Sequence, residues 1–356
     1  MVSTQENVAL SRGWLRIQLA NGPADFHYRW LRHACDLDRH PLTNERIVCS
    51  SELPDTLEVK RAFVSGDRLH VVWTHDGRES RYALAWLQQH AYASGRTYPP
   101  TLPTSLSEVE VVSADIDSAI HQASERLRSH GVAIVRGSTR EAPEQLTEPL
   151  IAAWEKWGFE VVGTHFGRIE DLRTDNTTNQ NTDQLGYTDA AVELHTDQPF
   201  LEAPPRYQLL QNLQVADSGG ENAIVDGLAA AELLQQEDQY AYEILRDTPV
   251  IFHRRQKNFE SIVKSPIFQG HGQDFLIRYS YFTLAPHRVP FSRMDGFYRA
   301  YDRFARLVRN PANQRRFLLR EGDYLIYDNH RMLHARTSFT GARWMRGVYF
   351  NPKVGN

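Results

Sequence analysis

Cysteine is nearly absent: Cys35 and Cys49 are the only two in 356 residues. That excludes a disulfide-built scaffold and suits a reducing compartment. No apolar run is long enough to read as a membrane-spanning helix. The opening MVSTQENVALSRGWLRIQLANG has neither the basic start nor the apolar stretch of a secretion leader. Charge of one sign is not in excess either, with 40 Lys and Arg against 44 Asp and Glu, a formal charge of −4. A nucleic-acid or anionic-membrane partner therefore has no electrostatic footing. Repeats and low-complexity tracts are missing too. What remains is ordinary globular material, 41% hydrophobic with 21 glycines, enough for a sizeable core and about two domains by length. The expectation is a soluble, cytoplasmic chain.

The sharpest change of composition is Thr97–Ser107, where three prolines among Thr and Ser favour an extended connection. It divides the chain into a small β-rich domain (1–95), a linker (96–108) and a larger domain (109–356). In the first, Arg68–Trp73 and Ser80–Leu84 read as strands joined through His75-Asp76-Gly77, a hairpin signal, and Trp86–Ala91 as a short helix. In the second, Ile116–His130 has helical spacing and ends at Gly131, a natural C-cap. Val132–Val135 reads as a buried strand. Pro143–Trp157 reads as a helix with a break at Pro149. Beyond 160 short strands dominate: Arg206–Leu213, Asn222–Val225, Phe275–Tyr281, Asp323–Tyr327 and Arg346–Phe350, with one long helix near Asp295–Leu307. The fold class is mainly β with flanking helices, a β-sandwich or jelly roll.

Two places carry chemistry. In Glu193-Leu-His195-Thr-Asp197, strand geometry sends His195 and Asp197 to the same face, where an imidazole and a carboxylate can take adjacent positions on one metal ion. In Asp328-Asn329-His330-Arg331-Met332-Leu333-His334, the two histidines have the spacing of zinc ligands on a helix, but the glutamate of a zinc-protease helix is missing and the segment lies between strands. Two histidines and one carboxylate together form the facial triad of non-haem Fe(II) oxygenases, which leaves positions for a bidentate co-substrate and O₂. A 2-oxo acid also needs a cation for its far carboxylate. Arg343 and Arg346 follow His334 past a turn at Gly341.

The ordered motifs go further. Trp30-Leu-Arg, His195-Thr-Asp197, Gly219-Gly220-Glu-Asn-Ala-Ile-Val-Asp226-Gly227, Gly322-Asp, Asp328-Asn329, Leu333-His334-Ala-Arg336, Ser338-Phe-Thr-Gly-Ala-Arg343 and Gly347-Val-Tyr349 follow one another. The chain so resembles the γ-butyrobetaine and trimethyllysine dioxygenase family of Fe(II)/2-oxoglutarate oxygenases. The resemblance implies a double-stranded β-helix (jelly roll) catalytic domain. It implies His195, Asp197 and His334, not His330, as metal ligands, with Arg343 on the 2-oxoglutarate C5 carboxylate. Asn222 falls at a Ser/Thr position that contacts 2-oxoglutarate in related enzymes. Asp197 favours hydroxylation, since halogenating members of the wider superfamily lack that carboxylate.

By the same resemblance a trimethylammonium group sits in an aromatic cage held by cation–π attraction. Tyr187 and Tyr349 match cage tyrosines, Phe166 stands where the family often has Tyr, and Glu170 falls near a cage tryptophan. Gln184 replaces a family Asn near the substrate's anionic end. There the asparagine-rich stretch is replaced by one offering Arg278, His287 and Arg288, which would suit a phosphonate. The expected activity is hydroxylation of a short trimethylammonium zwitterion, 2-(trimethylammonio)ethylphosphonate or γ-butyrobetaine. The alternatives are trimethyllysine hydroxylation, a zinc hydrolase, and a non-catalytic jelly roll that binds quaternary ammonium. The family's N-terminal zinc positions read Cys35, Leu37 and His40 with the later His missing, so zinc is not expected there. A homodimer is expected by analogy.

Overall fold

The computed structural model describes residues 8–20, 22–91, 106, 108–113, 115–137, 142–174 and 184–353. Of the Thr97–Ser107 connection, only Leu106 lies among them. The N-terminal part holds two three-stranded antiparallel sheets, one of Val8–Ser11, Trp14–Leu19 and Gly22–His27, the other of Val59–Ser65, Arg68–Trp73 and Glu79–Ala83. In Arg68–Trp73 the alternate residues Leu69, Val71 and Trp73 are buried, the period-2 pattern of a strand covered on one face. The helix after the hairpin spans Leu84–Gln89, two residues upstream of its expected start.

Two sheets build the larger part. The first has the order Glu170–Arg173, Trp344–Pro352, Tyr207–Gln214, Tyr324–Asp328, Val132–Arg136, Glu110–Val112, with Phe159–Val161 also paired to Trp344–Pro352. The second runs Val192–His195, Met332–Arg336, Asn222–Asp226, Arg315–Phe317. Side-chain parity explains why they stack. Val132, Ile134, Leu210, Leu325 and Tyr327 pack with Ile224, Phe317 and Met332 of the second sheet. Their neighbours Ala133, Val135, Leu209, Tyr324 and Ile326 point the other way, onto Ile120, Leu127, Ile151 and Trp154 of two covering helices. A sheet buried on both faces has near-continuous apolar strands, hence Val-Ala-Ile-Val. This is the jelly roll the short strands suggested.

The first covering helix is Ile116–His130, capped by Asp115, which accepts from the Ser118 amide at 2.7 Å, and closed by Gly131 at φ +75°. The second begins as a 3₁₀ turn, Pro143–Leu146, and continues as Thr147–Lys156. Pro149 therefore sits in the first helical turn, where its missing N–H has no intrahelical partner to lose, and the break falls before it. Only Leu276–Ile277 of the expected strand Phe275–Tyr281 pairs as a strand. Beyond it the backbone turns, and Tyr279 exchanges hydrogen bonds with Thr196 instead: Thr196 N–H donates to the Tyr279 carbonyl at 2.7 Å, and the Tyr279 amide to Thr196 Oγ1 at 3.0 Å. The long helix is Phe291–Arg309. Its Phe297, Tyr301 and Phe304 share one core with Trp30, Leu69 and Trp73 of the N-terminal part, and Arg29 pairs with Asp302 at 2.7 Å.

At the family's zinc positions, Cys35 Sγ lies 3.0 Å from Ser80 Oγ, Leu37 is exposed, and His40 Nδ1 accepts from the Thr43 amide. Asp38 is held between Arg32 and Arg78. Among the described residues no helix is long and apolar enough to cross a membrane.

Candidate metal centre and adjoining cavity

Strands Val192–His195 and Met332–Arg336 pair in a register that sets His195 opposite His334. Cross-strand partners share a face, so the two rings meet, with centroids 4.3 Å apart. Asp197 follows just past the strand end. Its Oδ1 lies 3.2 Å from His195 Nε2 and 3.4 Å from His334 Nε2. Among the described residues these three form the one group of His, Cys, Asp or Glu whose ligand atoms all lie within 4.8 Å of one another; Cys35 and His40 join none. His195 Nδ1 lies 2.7 Å from the Glu193 carbonyl, a contact that orients the ring with Nε2 toward Asp197 and His334. Burial and the neighbouring His195 ring push the His334 imidazole down, toward the neutral form a metal takes. Burial alone would push the Asp197 carboxyl up, but His334 and His195 outweigh it and hold the group well below the usual carboxylate range. Two imidazole nitrogens and one carboxylate converging from one side suit a divalent iron with open positions.

Asp197 is gripped from two sides. Asn329, fully buried, accepts from the Asp197 amide at 2.7 Å and donates to the Asp197 carbonyl at 3.0 Å. Tyr349 donates to Asp197 Oδ2 at 2.9 Å, Gln208 donates to the Tyr349 hydroxyl at 2.9 Å, and Tyr327 donates to Gln208. One carboxylate oxygen thus faces the rings while a chain of hydrogen bonds holds the other. Sequence reading placed Asn329 in a motif without a role and gave Tyr349 to a cage. The available signal was the adjacency of Asp328-Asn329 to a strand end.

The triad opens into a cavity that Phe166, Glu170, Gln184, Asn222, Arg343 and Tyr349 also line. Arg343 is 8% exposed, pairs with no carboxylate among the described residues, and is pushed down to about 9 by burial and by Arg336. An anionic ligand would restore its charge balance. Glu170 stands in the edge strand Glu170–Arg173, opposite Gly347. It accepts from Gln184 Nε2 at 2.9 Å and from the Tyr187 hydroxyl at 3.1 Å. Burial, then the charge of Asp197, push its carboxyl up to about 8. Tyr187 itself stands behind Glu170 rather than on the cavity wall.

Arg278, His287 and Arg288 are not brought to this cavity. Arg278 spends its guanidinium on the carbonyls of Pro199, Leu201 and Glu202, at 2.6, 2.5 and 2.8 Å. His287 is buried against Phe297 and Tyr298, with Nδ1 on the Ala285 carbonyl. Arg288 donates to the Ala91 carbonyl at the surface. His330 is anchored on the Pro204 carbonyl and Arg346 on Asp171. The cavity's cation at the Gln184 end is instead Arg254, paired with Glu45 and 3.3 Å from Gln184 Oε1. Arg254 shares the inward parity of Val250 and Phe252 in its strand, which was the signal for it. Glu45, from the N-terminal part, also accepts from the Leu185 amide, and no local pattern announces it.

The sequence profile described as "Taurine catabolism dioxygenase TauD, TfdA family" matches residues 99–349. The chain belongs to this family. As a TauD/TfdA-family member it is an Fe(II)- and 2-oxoglutarate-dependent dioxygenase. It is 29% identical over 359 residues to a trimethyllysine dioxygenase of Meyerozyma guilliermondii, covering 92% of this chain and 88% of that one. It is also 29% identical over 338 residues to a gamma-butyrobetaine dioxygenase of Pseudomonas sp. (strain AK-1), covering 91% and 87%. The fold is shared with the non-haem iron oxygenase OrfP, solved with Fe and alpha-ketoglutaric acid, at a TM-score of 0.50 and 19% identity over 67% of this chain and 79% of that one.

Proposed function

We propose that this dioxygenase hydroxylates a short trimethylammonium zwitterion: one C–H becomes C–OH while 2-oxoglutarate and O₂ become succinate and CO₂. The observation that carries the reading is a buried carboxylate, Glu170, set with Phe166 and Tyr349 in the cavity that holds the triad and backed by Tyr187. A quaternary ammonium offers no hydrogen-bond donor, so a cavity recognises it by charge and by aromatic faces. The two curated relatives are named for trimethylammonium substrates, one for γ-butyrobetaine and the other for trimethyllysine, and the first of these supports the reading. His195, Asp197 and His334 would hold the iron, whose chemistry is the activation of O₂. Arg343 and Asn222 would hold 2-oxoglutarate, the guanidinium taking the far carboxylate. Glu170, with Phe166 and Tyr349 beside it, would hold the cation so that one C–H faces the metal, and Arg254 with Gln184 would face the anionic end.

Succinate release by the Fe(II) enzyme tests this across 2-(trimethylammonio)ethylphosphonate, γ-butyrobetaine, trimethyllysine and taurine, the last without the cation. Coupled turnover of the phosphonate or of γ-butyrobetaine supports the reading and identifies the anion. Turnover of trimethyllysine alone would move the assignment to that substrate, and turnover of taurine alone would remove the cation site. No succinate with any compound, with 2-oxoglutarate still bound, refutes it. Tyr187→Leu should raise KM for the trimethylammonium substrate.

A further inference from the structure

Phe282 differs from its neighbours in the chain. Tyr281, Thr283 and Leu284 are buried, whereas Phe282 between them is half-buried and lies on the wall of the cavity that holds the triad. Its ring meets that of the candidate ligand His195 in a T-shaped contact, with centroids 5.0 Å apart and planes at 65°. The backbone leaves it no freedom to withdraw. Phe282 sits in a closed turn in which the Thr283 and Leu284 amides donate to the Ser280 carbonyl at 3.3 and 3.0 Å. Before the turn, Tyr279 is tied to Thr196, between two candidate ligands, and its ring stacks on Tyr301 of the long helix with centroids 5.1 Å apart. After it, the Thr283 carbonyl accepts from the amide of His253 at 2.9 Å, in the strand Val250–Gln256 that carries Arg254. The ring is thus held between the metal centre and the strand of the cavity's cation.

An apolar ring left half open in a cavity gains free energy when a ligand covers it. Charged and polar groups of the cavity, Glu170, Arg254 and Gln184, can recognise the two ends of a zwitterion. The methylenes between those ends carry neither charge nor hydrogen-bonding atoms, and an apolar surface is what favours them over water. Other apolar side chains line the cavity, but among the described residues Phe282 is the phenylalanine in ring contact with a candidate ligand. We propose that Phe282 is a specificity-determining residue: its ring packs on the methylene chain between the substrate's charged ends and selects the C–H bond presented to the metal. This deepens the zwitterion reading and rests on it. Chain length matters because the two charge-recognising groups are themselves joined: Gln184 donates to Glu170 at 2.9 Å, and its Oε1 lies 3.3 Å from Arg254. With both ends fixed so close together, an added methylene must bulge sideways, and a ring that cannot withdraw limits the room for it.

The test compares wild type, Phe282→Leu and Phe282→Ala on γ-butyrobetaine, 2-(trimethylammonio)ethylphosphonate and the homologue of each with one methylene more. Succinate and hydroxylated product are measured separately. Phe282→Ala should raise KM for the shorter substrate about tenfold. It should also release succinate without product, at least about doubling the succinate-to-product ratio. The ratio of kcat/KM between the two chain lengths should move about tenfold toward the longer compound. Phe282→Leu keeps an apolar filling, guards the comparison against misfolding, and should fall between. KM for 2-oxoglutarate and Fe(II) affinity in an anaerobic titration should hold in both variants. An unchanged chain-length ratio would overturn the proposal. A loss of Fe(II) affinity, or a matching rise in KM for 2-oxoglutarate, would overturn it too, by making Phe282 a support for His195 alone. If wild type turns over none of the four compounds, the zwitterion reading fails and this proposal ends with it. If wild type turns over one of them and the variants match it, the reading stands and the role given to Phe282 is refuted.

Discussion

Replacing Glu170 with glutamine should flatten the pH dependence of cation binding and at the same time stabilise the protein at alkaline pH. Burial and the charge of Asp197 push this carboxyl up to about 8, so near neutrality most molecules carry it protonated. A bound trimethylammonium favours the carboxylate. Releasing a proton at pH about 7 from a group that titrates near 8 costs about 1.4 kcal/mol, a factor of about ten in affinity. Calorimetry on the metal-free protein should therefore show γ-butyrobetaine binding about tenfold tighter at pH about 9 than at about 7, with proton release at the lower pH. Glu170→Gln should bind more weakly and without that slope. The stability effect has the opposite sign to that of a salt-bridged acid. The raised value means that, from the ordinary carboxyl range up to about 8, the unfolded chain has lost a proton that the folded chain keeps. Stability falls as pH rises through that window, and the variant escapes the loss. It should melt above wild type at pH about 8, the gap closing toward pH 5. A slope that survives in the variant, or a variant that melts lower at alkaline pH, would refute the role given to Glu170. Metal loading neutralises Asp197, the second cause of the shift, so the binding midpoint should move to lower pH in the holoenzyme.

Asn329→Ala removes both hydrogen bonds to the Asp197 backbone and should weaken Fe(II) binding about 10- to 100-fold in an anaerobic titration; unchanged affinity would show that the clamp is idle. Arg343→Met should raise KM for 2-oxoglutarate at least about tenfold, the loss of a charge-assisted contact, while Fe(II) affinity holds; an unchanged KM would place the far carboxylate elsewhere. Trp154→Ala empties a fully buried site between the covering helix and the sheet. It should cost about 3–5 kcal/mol in denaturant unfolding, and a loss below 1 kcal/mol would mean that the site collapses around the smaller side chain.

Local rules made the scaffold readable. Ile116–His130 emerges from apolar spacing and a terminal glycine, and the strands from period-2 or continuous apolar runs. Those rules stop where a segment's partner is distant. Phe275–Tyr281 has the composition of a strand, yet the Thr196 turn takes its backbone groups. The triad was legible because motif order adds what spacing lacks. Arg278, His287 and Arg288 were not legible in the same way: whether a guanidinium meets a cavity or a neighbouring carbonyl depends on loops that pattern does not describe. Glu45 and Asn329 act through contacts across the fold, and no window of sequence contains both partners.

The ion pair of Glu45 and Arg254 has a consequence for how this enzyme can be varied. Its two halves lie on either side of the proline-rich connection, one in the N-terminal stretch and one deep in the oxygenase part. A chimaera that joined the front of one relative to the back of another would bring an unmatched charge to the wall of the substrate cavity. Positions 45 and 254 are therefore expected to be inherited as a couple, and recombination aimed at a new substrate must carry both or replace both.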